Sequence, residues 1–126
     1  MNKLATILLL TALSGCSLLP SKFDSALYDH LVELSVDADL AQGKCGTPGM
    51  QGAVSALNRE SKQALTYSQY ADKDVFASVA LVDKAVTEMD TMYQAGTPSN
   101  AYCKLKLQIV NTDLDLILTG LGGKSK

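Results

Sequence analysis

The chain has 126 residues and a formal net charge of −2, with 13 acidic residues against 11 basic ones. This balance lacks the basic excess that is typical of nucleic-acid-binding proteins. The single His and three Cys do not suffice for a zinc site, and they offer at most one base to a catalytic Cys or Ser. With no Trp and two Phe, the core of one small domain is expected to be aliphatic.

Residues 1–15 have the features of a cleaved leader. Lys3 precedes an apolar run over residues 4–13, which is too short for a permanent transmembrane helix but typical of a signal peptide. The run ends in Leu13-Ser14-Gly15 followed by Cys16. These residues resemble the bacterial lipobox. The resemblance implies that a signal peptidase recognises Leu13, Ser14 and Gly15 and cleaves before the cysteine. The cysteine that follows is then acylated.

The resemblance to lipoproteins implies a covalent lipid on Cys16 and permanent membrane residence, because two or more acyl chains anchor a protein stably. Ser17 stands where enterobacterial lipoproteins kept at the inner membrane tend to carry Asp. We therefore expect the outer membrane, periplasmic face. Residues 16–22 are expected to be a short lipidated tether, residues 23–121 a helical bundle and residues 122–126 a flexible tail. Cleavage would also remove Lys3, which makes the mature chain more acidic.

Two cysteines remain in the mature chain, Cys45 and Cys103. Export to an oxidising compartment predicts a disulfide between them. No metal site and no cofactor other than the lipid are expected.

Four helical segments are predicted, each with its own boundaries. The first spans residues 23–42, with Phe23, Leu27, His30 and Leu31 on one apolar stripe. The second opens at Thr47-Pro48, a capping residue followed by proline. Asp72 or Asp74 then caps the third helix. Its apolar residues alternate steps of four and three and are Val75, Val79, Val82, Val86, Met89 and Tyr93.

The fourth helix is predicted to open at Thr97-Pro98, again a capping residue followed by proline, and to end at the glycines that begin with Gly120. It carries two apolar stripes, which predict the most buried position in the fold. One stripe contains Tyr102, Leu105, Ile109 and Leu116, and the other contains Leu107, Val110, Leu114 and Ile117.

The predicted fold is all-α, a small antiparallel four-helix bundle tied by one disulfide. Short connections between long helices favour antiparallel neighbours. Up-down-up-down order places Cys45 and Cys103 at the same end of the bundle. A three-helix arrangement, with the second helix bent or partly loop, is the alternative.

Candidate sites are few. His30 lies on the apolar stripe of the first helix, where a hydrogen-bonded histidine in the core or at its boundary is more common than a functional one. Asp37 with Asp39, and Asp113 with Asp115, point to different faces, unlike paired carboxylates of a glycosidase. Tyr67 and Tyr70 place two aromatic rings with polar tips near a helix end, which is typical of interfaces and of end packing alike. No enzymatic activity is expected.

Several short motifs together resemble small lipoproteins encoded by tailed bacteriophages of Gram-negative hosts. They are the lipobox, Phe23-Asp24 with Tyr28, a lone Cys after the first helix, Tyr67-Ser68-Gln69-Tyr70, and Tyr102-Cys103-Lys104-Leu105-Lys106. In that family Ile or Leu often follows the paired tyrosines, whereas Ala71 does here. The resemblance supplies no catalytic residues.

The resemblance implies a protein-interaction module in the cell envelope, with another envelope protein as its partner and neither nucleic acid nor a small-molecule substrate. One expected role is superinfection exclusion. An outer-membrane spanin that acts at lysis is the alternative, although the three Pro of this chain are fewer than many outer spanins carry. A general bacterial envelope inhibitor or assembly lipoprotein is a further alternative.

Overall fold

The computed structural model describes residues 23–124, which form four α-helices and no strand. The helices are α1 (Ser25–Gln42), α2 (Met50–Ala71), α3 (Lys73–Ala95) and α4 (Asn100–Lys124). α1 packs against α2 and α4, and α3 packs against α2 and α4, so the helices form a closed antiparallel square. The predicted four-helix bundle is confirmed. The three-helix alternative is wrong, because α2 is one continuous helix of 22 residues.

The core is built from one apolar stripe on each helix. Residues spaced by three and four share one side of a helix, so each stripe turns toward the bundle axis. Among the most enclosed side chains are Leu27, Leu31 and Leu34 of α1, Val54 and Leu57 of α2, Val79, Val82 and Met89 of α3, and Leu107, Val110, Leu114 and Leu121 of α4. The aliphatic core that the composition predicted is therefore present.

Side-chain caps begin three of the helices. Asp24 Oδ1 accepts a hydrogen bond from the Leu27 amide at 2.9 Å and so starts α1. Asp72 Oδ1 accepts from the amides of Asp74 and Val75 at 3.0 and 3.3 Å, which confirms the predicted cap of α3. Each bond satisfies an amide that has no partner within its own helix.

Three predicted helix starts are wrong. Helix α1 begins at Ser25 and not at residue 23, because Asp24 is its cap. Helix α2 begins at Met50 with Gly49 as its cap, because the Thr47 hydroxyl donates to the Lys44 carbonyl in the preceding turn. Helix α4 begins at Asn100, where Ser99 Oγ accepts from the Tyr102 amide at 3.1 Å. Both Thr-Pro pairs therefore belong to the connections and not to the first turns of the helices.

The end of α4 also differs from the prediction. The helix continues past Gly120 to Lys124, and Leu121 is buried. Burial of this leucine stabilises a helical segment whose glycines have low helix propensity. The described part of the expected flexible tail, residues 122–124, is thus helical, and residues 125–126 lie outside the described residues, as do the predicted leader and tether.

The predicted disulfide is confirmed. Cys45 lies in the connection after α1 and Cys103 in the first turn of α4, with their Cα atoms 5.9 Å apart. Gly46 follows Cys45 with a φ of 83°, and a Cβ there would lie 2.7 Å from the side chain of Asn100. Glycine therefore allows the loop to approach the start of α4 closely enough for the sulfur atoms to bond.

Candidate functional site

A wide groove lies along α1 and α2, at the end of the bundle where α1 begins. It has a volume of about 590 Å³. We call it the tyrosine groove. Its lining residues are His30, Lys62, Gln63, Thr66, Tyr67 and Tyr70. The structure thus brings together both tyrosines that the sequence indicated, and it adds His30 and Lys62 to them.

Tyr67 forms a fixed wall of this groove. Its hydroxyl donates to the carboxylate of Asp24, at 3.3 Å from Oδ1, and its ring lies 5.4 Å from the His30 ring between centroids. Removal from solvent raises the pKa of Tyr67, and the negative charge of Asp24 raises it further. The phenol is therefore a neutral hydrogen-bond donor at physiological pH, held in place by the residue that also caps α1.

Tyr70 differs from Tyr67 because it projects into solvent. Its side chain is 83% exposed, so the ring contributes almost nothing to the core. Exposed aromatic rings with a polar tip are favoured at protein interfaces, because they bury a large area with few rotatable bonds. Of the two readings that the sequence left open for Tyr70, bundle-end packing is excluded and a surface position is observed.

Of the core and boundary positions that the sequence left open for His30, the structure shows the boundary position. His30 is exposed, whereas Leu27 and Leu31 on either side of it are fully buried. A helix turns 100° per residue, so a residue next to a buried position on the chain can still lie at the border of the apolar stripe. That border position is why the ring faces Tyr67 and the groove instead of the core.

Lys62 supplies a positive charge to the rim of the groove. Its ammonium lies 3.4 Å from Asp83 Oδ1 and 3.0 Å from Thr87 Oγ1, both on α3. These contacts fix an exposed side chain that would otherwise sample many rotamers. The groove therefore combines aromatic surface, hydrogen-bond donors and one held cation, a set of groups suited to binding a polypeptide segment.

A second site, which the sequence did not indicate, joins two carboxylates from different helices. Glu60 of α2 and Asp37 of α1 line a small pocket of about 130 Å³. Burial raises the pKa of Glu60 to about 7, and the charges of Asp37 and Glu33 add to this, while Arg59 opposes them. Spacing along the sequence shows which residues share a face of one helix. It could not reveal a carboxylate pair that forms between two helices.

A polar seam joins α2 and α3. Asp90 is nearly buried and accepts hydrogen bonds from Ser55 Oγ at 3.1 Å, Asn58 Nδ2 at 2.9 Å and Gln94 Nε2 at 3.0 Å. Ser61 Oγ donates to Asp83 at 2.8 Å. Buried polar groups are tolerated when their hydrogen bonds are made, so this seam fixes how α2 sits on α3 and has a structural role.

Comparisons with known protein families, with curated proteins and with solved structures find no match to this chain. Among the described residues, no group of three or more His, Cys, Asp or Glu side chains is placed to hold a metal ion. None of the helices α1–α4 is both long enough and apolar enough to cross a membrane.

Proposed function

We propose that this protein is a lipid-anchored lipoprotein on the periplasmic face of the outer membrane that binds another envelope protein through the tyrosine groove. The single observation that carries the proposal is the exposure of Tyr70 beside the fixed ring of Tyr67. A ring that adds nothing to the core is free to be buried by a partner. The anchor rests on the lipobox that ends at Cys16.

The position of the groove supports this proposal. Asp24 holds Tyr67 and lies only eight positions after Cys16 in the sequence. A tether of this length spans at most about 25–30 Å, so the groove would lie near the membrane surface and the proteins embedded in it. A partner at the membrane, such as a phage receptor or an incoming injection protein, would be within reach of the groove.

The biological role that we propose is superinfection exclusion. A small anchored module that occupies an envelope protein needs no catalysis, and it acts by blocking the contact that an incoming phage must make. The test is the plating efficiency of a diverse phage panel on cells that express the full chain. We expect plating to fall for a subset of phages, and the receptors of that subset identify the partner.

Three variants separate the anchor from the groove. Cys16→Ala removes the lipid acceptor, and we expect it to restore plating and to leave an uncleaved or soluble product. Tyr70→Ala removes the exposed ring and should also restore plating, without loss of stability because the side chain is solvent-exposed. Gln69→Ala alters an exposed neighbour on the same helix and should still exclude the phages.

The outcomes bear on separate parts of the proposal. Mature, membrane-bound lipoprotein from Cys16→Ala would contradict the anchor. Full exclusion by Tyr70→Ala would show that the groove is not the binding surface. Normal plating of every phage on cells with the parent chain would contradict exclusion, and complementation of a spanin-deficient phage would then test the lysis role.

A further inference from the structure

The outward side of α4 carries an apolar stripe that no part of the described chain covers. Leu105, Ile109 and Leu116 are 58%, 43% and 69% exposed. The sequence placed this stripe in the core, and that prediction is wrong because Leu107, Val110 and Leu114 fill the bundle axis instead. Helix α4 therefore has a second apolar side, which faces away from the bundle axis.

Neighbouring helices extend this apolar surface. Leu81 of α3 is 65% exposed and borders a groove with Leu116. On the opposite flank, Val36 and Leu40 of α1 are 51% and 64% exposed and border a groove with α4. By contrast, Tyr70 is the only exposed large hydrophobic residue on α2 in the described structure. A clustered apolar patch of this kind marks an interaction surface.

The stripe has the spacing of a helix–helix interface, and the order of its steps is the same from either end. Leu105, Ile109, Thr112 and Leu116 follow one another at steps of four, three and four, which is the spacing of a coiled-coil seam. The Thr112 hydroxyl donates to the Gln108 carbonyl at 2.9 Å, so its polar group needs no water. A two-fold axis between Ile109 and Thr112 would place Leu105 against Leu116 of a second copy.

The charges of α4 favour the antiparallel arrangement with a second copy. Lys104 and Lys106 flank the start of the stripe, and Asp113 and Asp115 flank its end. Lys106 is held at the α3–α4 boundary by Glu88 Oε2 at 3.3 Å. Antiparallel pairing brings the basic half of each helix opposite the acidic half of the other, whereas parallel pairing opposes like charges.

We propose that two copies of this chain associate through α4, antiparallel about a two-fold axis near residues 109–112. This association goes beyond the proposed function, because it uses a different side of the bundle and does not involve the tyrosine groove. Its two supports are the self-complementary apolar stripe and the self-complementary charges.

Disulfide cross-linking in cells that express the full chain tests the arrangement. Thr112→Cys places a thiol near the proposed axis, and we expect a band of twice the chain mass on a non-reducing gel. The parent chain gives the background. Thr91→Cys is the matched control that should not cross-link, because Thr91 is exposed on α3, outside the stripe, and its hydroxyl donates to the Thr87 carbonyl at 3.0 Å just as that of Thr112 donates to Gln108. Adding Ile109→Lys should reduce the band about tenfold or more, because a buried ammonium has no partner there.

Charge reversal provides a test that loss of folding cannot imitate. Lys104→Asp with Lys106→Asp makes both halves of α4 acidic, and the cross-link through position 112 should fall. Adding Asp113→Lys with Asp115→Lys should restore it, although the contact of Lys106 with Glu88 stays broken. The proposal is overturned by equal cross-linking at positions 91 and 112, by no restoration in the fourfold variant, or by a product of position 112 with a different protein.

Discussion

Loss of the Cys45–Cys103 cross-link is expected to remove about 4 kcal/mol of stability. The two cysteines are 58 positions apart. Closing a loop of this size in the unfolded chain lowers its entropy by roughly 14 cal/mol/K in the chain-entropy model, which corresponds to about 4 kcal/mol at 25 °C. For a small domain with a modest core this is a large share of a total of about 5–15 kcal/mol. The expected fall in Tm is about 20 °C.

The assay is urea and thermal unfolding of residues 17–126, followed by far-ultraviolet circular dichroism. Three samples are compared, namely the oxidised parent, the reduced parent and Cys45→Ser. Cys45 is only partly buried, whereas Cys103 is fully buried, so changing Cys45 avoids a new cavity in the core. We expect the reduced parent and the variant to unfold together, well below the oxidised parent.

Two results would refute this reasoning. Equal stability of all three samples would show that the cross-link does not restrict the unfolded chain. A stable reduced parent beside an unstable Cys45→Ser would show that the substituted side chain, and not the covalent bond, carries the effect. In either case the entropic account of the disulfide would have to be abandoned.

Two further predictions concern carboxylates. Because the pKa of Glu60 is raised from 4.5 to about 7, the folded state holds its proton more tightly than the unfolded state, and stability should fall as pH rises from 4.5 to 7. Solvent screening limits this fall in stability to about 1 kcal/mol. Glu60→Gln should abolish the pH dependence, and the exposed control Asp39→Asn should not. Unfolding at several pH values measures both. Asp90→Ala should lower the free energy of urea unfolding by about 2–3 kcal/mol, because it leaves Asn58 Nδ2 without an acceptor. A loss below about 1 kcal/mol, or an equal loss in the surface control Asp115→Ala, would contradict a structural role for the seam.

Much of the fold follows from the sequence because the helical signals agree with one another. In α3 the alternating steps of four and three define one stripe, and Asp72 supplies a cap at its start. The disulfide is predicted from the two cysteines left in an exported chain, and antiparallel order agrees with it because that order leaves both cysteines at one end. Where a helix has one apolar stripe and one capping residue, the pattern has a single solution.

Other features could not be predicted because the sequence offers two solutions. Helix α4 has two apolar stripes, and only the packed bundle decides that Leu107 turns inward while Ile109 turns outward. Both Thr97 and Ser99 are good capping residues, and the structure uses Ser99. Glu60 and Asp37 meet across two helices, which no periodicity along one helix reveals. The sequence singled out Tyr67 and Tyr70, but the groove that they line together with His30 appears only in the folded bundle.

The cross-link lies at one end of the bundle and the tyrosine groove at the other, which makes the local stability of the two ends unequal. Near the disulfide, α1 and α4 cannot separate without breaking a covalent bond. At the opposite end, α4 finishes in a segment with Gly120, Gly122 and Gly123, which adds little helical stability of its own. Partial opening should therefore start there and stop before the cross-linked end. The tyrosine groove thus lies in the region that can loosen while the rest of the bundle stays folded.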